Sequence, residues 1–128
     1  MSRHLLWLVP AGAYAGLIFY LSSQPNPLPE LTLRVSDKLL HATEYGGLAA
    51  LLVLGLDRVF RPAPLRLGAW SAGLASLYGA SDEFHQWFVP SRSSEVADWV
   101  ADTTGAALAA TVLVLVLRRW RARASIGR

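Results

Sequence analysis

Polar and ionisable side chains recur at helical spacing at one end of three apolar segments. Positions i, i+4 and i+7 lie within about 60° of one another on an α-helix. Three sets of residues have this spacing: Asp37, His41 and Glu44; Tyr78, Asp82 and His85; and Asp98, Asp102 and Gly105. Ionisable groups at membrane depth are costly, so these faces should turn inward and are candidates for a functional site. The spacing therefore predicts one pocket shared by three helices.

Histidines and carboxylates in one pocket are suited to acid–base chemistry or to cation binding. A carboxylate one turn away can orient a histidine as a general base, as Asp37 could orient His41. Asp82 could do the same for His85, and a nearby arginine could stabilise developing negative charge. The candidates for catalysis, or for ligating a divalent cation, are His41, Asp82, His85 and Asp98. Such ligands suit zinc, manganese, magnesium or calcium. In the alternative interpretation these side chains only pair with one another between helices.

Four apolar stretches must position these groups. A chain that is 53% hydrophobic and 16% charged is typical of a membrane protein. Because a spanning helix needs about 20 residues, we predict an all-α, single-domain bundle of four transmembrane helices. The predicted spans are residues 5–21, 37–56, 67–88 and 95–119. The third can span only if Asp82, His85 and Gln86 face other helices rather than lipid.

The basic residues predict the orientation of the bundle. With both termini in the cytoplasm, nine of the twelve basic residues lie inside: Arg3, Arg58, Arg61, Arg66, Arg118, Arg119, Arg121, Arg123 and Arg128. Only Arg34, Lys38 and Arg92 lie outside, which is the bias expected of cytoplasmic loops. Of the acids, Asp57 alone lies inside. Closely spaced outer carboxylates must therefore bind protons or a cation.

Composition excludes several other classes. The chain has no cysteine, so disulfides, thiolate–metal sites and cysteine nucleophiles are impossible. Its basic residues cluster at the ends of segments and do not alternate with stacking aromatics, which argues against a nucleic-acid partner. The expected surroundings are a lipid bilayer.

The ordered motifs resemble those of the VanZ family, small bacterial membrane proteins named for a glycopeptide-resistance accessory protein linked to teicoplanin. The matching positions are Ser22-Ser23-Gln24-Pro25; Asp37, Lys38, His41 and Tyr45; Tyr78, Asp82, Glu83, His85 and Gln86; Val89-Pro90-Ser91-Arg92; and Asp98, Asp102 and Gly105. Ser91 stands where the family usually has glycine, and Asp102 where asparagine is frequent. The resemblance implies a multi-pass protein of the bacterial cytoplasmic membrane with a role in the cell envelope, and it implies no particular reaction.

These observations leave three hypotheses open. In the first, an outward-facing pocket recognises a lipid-linked cell-wall precursor, another envelope component or a glycopeptide. The expected ligand-binding residues are Asp37, Lys38, Tyr45, Tyr78, Glu83, Gln86, Arg92 and Asp102. Of these, Glu83 lies off the polar face of its helix. In the second, the protein is a hydrolase or transferase acting on a polyprenyl- or phospho-linked substrate. In the third, it is an accessory subunit whose polar cluster only packs helices.

Overall fold

The computed structural model describes residues 3–25 and 36–126, and these residues confirm the all-α fold. A short 3-10 helix, Arg3–Leu8, leads into α1, Val9–Ser22. The remaining helices are α2, Asp37–Phe60, α3, Pro64–Gln86, and α4, Val96–Ile126. The connection 26–35, with Arg34, and the terminal Arg128 lie outside the described residues.

Several helix ends differ from the predicted ones. α2 continues to Phe60, where Arg61 ends it in a left-handed conformation before Pro62. α3 begins at Pro64, since proline fits the first turn of a helix. α4 runs seven residues past the predicted end at 119, because arginine and alanine favour helix after the apolar pattern has stopped.

Three helical segments within the described ranges are long and apolar enough to cross a membrane: Arg3–Ser22, Asp37–Phe60 and Val96–Ile126. α3 is not among them, although its 23 residues extend about 34 Å at 1.5 Å per residue. Asp82 and Gln86 on α3 are buried against neighbouring helices and His85 is half-buried. The inward-facing condition for a fourth span is thus met for Asp82 and Gln86, and the count of four remains a prediction.

The helices meet through small residues at the centre of the bundle. α2 and α4 approach so closely at Gly105 that an added Cβ atom would clash with the backbone carbonyl of Ala42. A Cβ at Gly46 would lie 3.3 Å from the carbonyl oxygen of Gly105, so the contact is tight on both sides. Ala49 of α2 and Ala106 of α4 are fully buried as well. Small residues thus let the two backbones approach, as in other membrane bundles.

The two ends of the bundle differ in chemistry. We call the end where α1 and α3 finish and α2 and α4 begin the polar end. At the opposite, arginine-rich end, the buried Asp57 of α2 forms an ion pair with Arg121 of α4. Arg58 lies over the ring of Trp7, with its guanidinium carbon 4.7 Å from the ring centroid. A small number of specific ionic contacts therefore joins the helices at this end.

Candidate functional site

A cavity of about 560 Å³ opens at the polar end. Its walls come from the end of α1, the first turns of α2 and α4, the last turn of α3 and the connection between α3 and α4. The lining residues are Pro25, Asp37, His41, Gln86, Ser91, Arg92, Ser93 and Asp98. The structure thus brings together at one cavity the predicted site residues Asp37, His41, Gln86, Arg92 and Asp98.

His41 is the catalytic candidate on the cavity wall whose imidazole is held by a carboxylate. Its Nδ1 lies 2.8 Å from Oδ1 of the fully buried Asp102 of α4. Its Nε2 lies 4.0 Å from Oδ2 of Asp98. Because a carboxylate only accepts hydrogen bonds, this contact places the Nδ1 proton of His41 towards Asp102. Asp102 therefore orients His41, the role that helical spacing predicted for Asp37. Asp37 is exposed and lies one turn away, at the beginning of α2.

The two cations beside the cavity behave differently. Lys38 forms an ion pair with Asp98 and another with Glu95, at 2.9 Å. Its hydrogen bond to Glu95, just before α4, lowers the pKa of that carboxyl. Arg92 has no carboxylate oxygen within 4.0 Å of its guanidinium in the described ranges, and its buried Nε has no hydrogen-bond partner. Lys38 is thus already paired with two carboxylates, whereas Arg92 has no such pair among the described residues and could contact a ligand.

Asp82 and His85 join α3 to α1 and do not line the cavity. Oδ1 of Asp82 accepts a hydrogen bond of 2.5 Å from Ser22, and its Oδ2 accepts one of 3.1 Å from Gln86. His85 contacts Ser23, with 3.0 Å between Nε2 and Oγ. The predicted pairing of Asp82 with His85 is therefore replaced by two serine contacts. Of its two side-chain partners in the described residues, Gln86 lines the cavity and Ser22 does not.

Glu83 is buried, whereas its spacing placed it off the polar face. The connection between α3 and α4 folds back over the end of α3, and the backbone N–H of Glu95 donates to Oε2 of Glu83 at 3.0 Å. Oε1 of Glu83 has no partner in the part of the chain that is described. A sequence pattern confined to one helix carries no information about a loop that covers it, which is why this carboxylate was misplaced.

The two tyrosines have unlike surroundings. Tyr78 donates a hydrogen bond of 2.6 Å from its hydroxyl to the carbonyl of Ala15, so it fixes α3 against α1. Tyr45 is fully buried beside Gly79, and its hydroxyl has no partner among the described residues. Neither ring lines the cavity.

Two groups of side chains are close enough to hold a cation. Asp37, His41 and Asp98 form the group on the cavity wall, and His41, Glu83 and Asp102 form a buried group behind it. Within each group one ligand atom per residue lies within 4.8 Å of the others. In residues 3–25 and 36–126, Asp82 and His85 belong to no such group, although both were candidate ligands.

The turn before Arg92 has a left-handed residue. Ser91 has φ of 65°, a conformation that glycine adopts at lower cost than serine. Glycine is usual at this position in the family that the sequence resembles, and the turn keeps its shape here without it. Ser22, Ser23 and Glu95 are the contact residues that the helical spacing missed. The first two were visible only as the serine motif after the first apolar segment.

Comparison with known proteins supports the resemblance. No curated protein and no solved structure matches the chain. The model of the VanZ/LLP1 family matches residues 3–118, which is nearly the whole chain and includes every residue of the cavity. The chain therefore belongs to the VanZ-like family.

Proposed function

We propose that this VanZ-like membrane protein uses the cavity at its polar end to recognise an anionic, lipid-linked component of the cell envelope. The observation that carries the proposal is Arg92, a partly buried arginine on the cavity wall without a carboxylate partner in the described chain. Its Nε is buried without a hydrogen-bond partner, and a buried polar atom left in that state is costly. Arginine binds phosphate and carboxylate in a bidentate manner, so an anionic ligand would supply what Arg92 lacks.

The rest of the cavity suits such a ligand. Its volume of about 560 Å³ is in the range of small-molecule sites and would accept a headgroup but not a whole lipid. The cavity is also lined by Asp37 and Asp98. Asp37 and Oδ2 of Asp98, the oxygen that Lys38 does not contact, offer acceptors for ammonium or hydroxyl groups. The cavity opens at the end of spanning helices, where the headgroup of a membrane-bound lipid would lie. A bound envelope precursor would be less accessible to a lipoglycopeptide, so the same recognition would contribute to glycopeptide (teicoplanin) resistance.

Arg92→Lys should weaken binding while the protein still folds. Lysine keeps the charge but loses the planar fork, so we expect the Kd for a short-chain polyprenyl phosphate to rise by about tenfold or more. Binding is measured with purified protein in detergent, and the uncharged polyprenol of equal length tests the need for phosphate. Arg119→Lys, at the opposite end, is the matched control. An unchanged Kd in Arg92→Lys, or equal binding of the polyprenol, would contradict the proposal.

The cavity should face the outside of the cytoplasmic membrane. Nine of the twelve basic residues lie on the other side of the predicted four-span bundle, and such residues are retained in the cytoplasm. Alkaline phosphatase fused after Pro27 or Ser91 should be active, and green fluorescent protein fused after Pro64 or Arg128 should fluoresce. Phosphatase activity after Pro64 would invert the topology and place the cavity in the cytoplasm.

A second candidate function is hydrolysis or transfer of the phosphoryl group of such a lipid. It is favoured by the contact between His41 and Asp102, which fixes one imidazole nitrogen and leaves Nε2 near the cavity as a general base. The binding assay distinguishes the two functions when inorganic phosphate is also measured. Steady release of phosphate by the wild-type protein would favour the enzyme, and binding without release would favour recognition.

A further inference from the structure

We propose that the buried cluster of His41, Glu83 and Asp102 binds a divalent transition-metal ion, with Zn²⁺ or Mn²⁺ as the fitting chemistry. The three residues come from α2, α3 and α4, so the site would join three helices directly behind the cavity. This goes beyond recognition of an envelope lipid, because the metal can be bound and measured without any lipid.

The distances suit a metal ion. One ligand atom of each residue lies within 4.8 Å of the other two, little more than twice a metal–ligand distance of about 2.1 Å. Nδ1 of His41 and Oδ1 of Asp102 are 2.8 Å apart. Two neighbouring ligands of an octahedral ion are separated by about 3 Å. A cation could therefore replace the proton between these two atoms with only a small movement.

Two oxygen atoms of the cluster lack partners. Oε1 of Glu83 and Oδ2 of Asp102 are buried and accept no hydrogen bond from any described residue. The two residues are only 7% and 0% exposed, so water cannot solvate these oxygens freely. An unsatisfied buried carboxylate oxygen is costly, and most native structures avoid it by binding a proton, a water molecule or a metal ion.

The surrounding charges also favour a cation. Lys38 is occupied by Asp98 and Glu95, and Arg92 lies beyond 4.0 Å from every described carboxylate. In the described chain, His41 is the one basic group within 4.0 Å of an Asp102 oxygen, and it is charged only when protonated; Glu83 has no basic group within that distance. A divalent ion would compensate both carboxylates.

The ligand types select the metal. One imidazole and two carboxylates form a common set for zinc and manganese, whereas Ca²⁺ prefers six to eight oxygen ligands. The group on the cavity wall, Asp37, His41 and Asp98, is a weaker candidate. Lys38 already occupies Asp98, and Asp37 is exposed. The buried group is therefore the better site.

The test uses the full chain, purified in detergent, stripped with a chelator and titrated by calorimetry with ZnCl₂ or MnCl₂ alone. We expect about one ion per chain, with a rise in Tm on binding. Glu83→Gln and Asp102→Asn should each raise the Kd at least about tenfold. Glu44→Gln is the matched control, because Glu44 lies three residues from His41 on the same helix and belongs to neither group.

Other results would overturn the proposal. These are a folded wild-type protein that binds neither ion, or Glu83→Gln and Asp102→Asn variants that bind as tightly as the wild type. Loss of binding in Asp37→Asn but not in Glu83→Gln would place the ion on the cavity wall instead. If the buried variants fail to fold, spin-echo spectroscopy of Mn²⁺ in the wild-type protein must still detect a directly bound histidine nitrogen. Since no lipid is present, failure here leaves the lipid-binding proposal standing.

Discussion

Gly105→Ala is expected to prevent α2 and α4 from packing as they do in the native bundle. The added Cβ atom would lie well inside the 3.0 Å below which such contacts are essentially never seen, against the backbone carbonyl of Ala42. Backbone atoms cannot rotate out of the way, so the two helices would have to separate. The free energy of unfolding should fall by about 3 kcal/mol, the upper range for overpacking a core.

The stability of the purified protein is measured in detergent, either as unfolding monitored by circular dichroism or as the Tm. Gly73→Ala is the matched control, because Gly73 also lies within a helix but has no atom near its missing Cβ. Alanine there should leave stability unchanged or raise it by about 0.5–1 kcal/mol. A Gly105→Ala protein as stable as wild type would show that the helices do not approach so closely.

Among substitutions of exposed side chains at the arginine-rich end, Arg121→Ala should lower the stability of the protein most. Asp57, its partner, is only 4% exposed; Arg121 contacts its Oδ2, and its Oδ1 has no partner in the described chain. Removing one member of such a pair leaves a buried charge without compensation and costs about 3 kcal/mol. The Tm in detergent should fall, while Arg119→Ala should have little effect.

A double variant separates the effect of the uncompensated charge on stability from the effect of the lost side-chain packing. In Asp57→Asn combined with Arg121→Ala, neither charge remains, so much of the lost stability should return. Double-mutant analysis then gives the coupling between the two residues. A coupling near zero would mean that Asp57 is stabilised by other groups.

The sequence was sufficient to predict several of the side chains that turn inward, although not Glu83. Helical spacing placed His41, Asp98 and Asp102 on faces that do meet at the polar end, because the cost of exposing ionisable groups to lipid leaves few alternatives. The all-α class followed from the length and hydropathy of the segments. The cavity contains Arg92, which was expected from its position in the short connection between two polar helix ends.

The partners of these side chains could not be predicted in the same way. Spacing along one helix predicts which side chains share a face. It does not predict which residues of a neighbouring helix lie beside that face. In this bundle, Gly105 of α4 packs closely against Ala42 of α2, and in the same register Asp102 of α4 contacts His41. Likewise, Glu83 became a buried group because a loop covers it. Both features arise from contacts between segments distant in the chain.

The ion pairs that contain a buried carboxylate share one property at both ends of the bundle: each joins α2 to α4. At the polar end, Lys38 pairs with Asp98 of α4, and His41 pairs with Asp102 of α4. At the other end, Asp57 pairs with Arg121 of α4. During synthesis, α4 leaves the ribosome after α1 to α3. Until it packs against α2, the buried Asp57 lacks its partner Arg121, and Lys38 and His41 lack Asp98 and Asp102. We therefore expect both sets of pairs, and the cavity that Asp98 helps to line, to form only once α4 packs against α2.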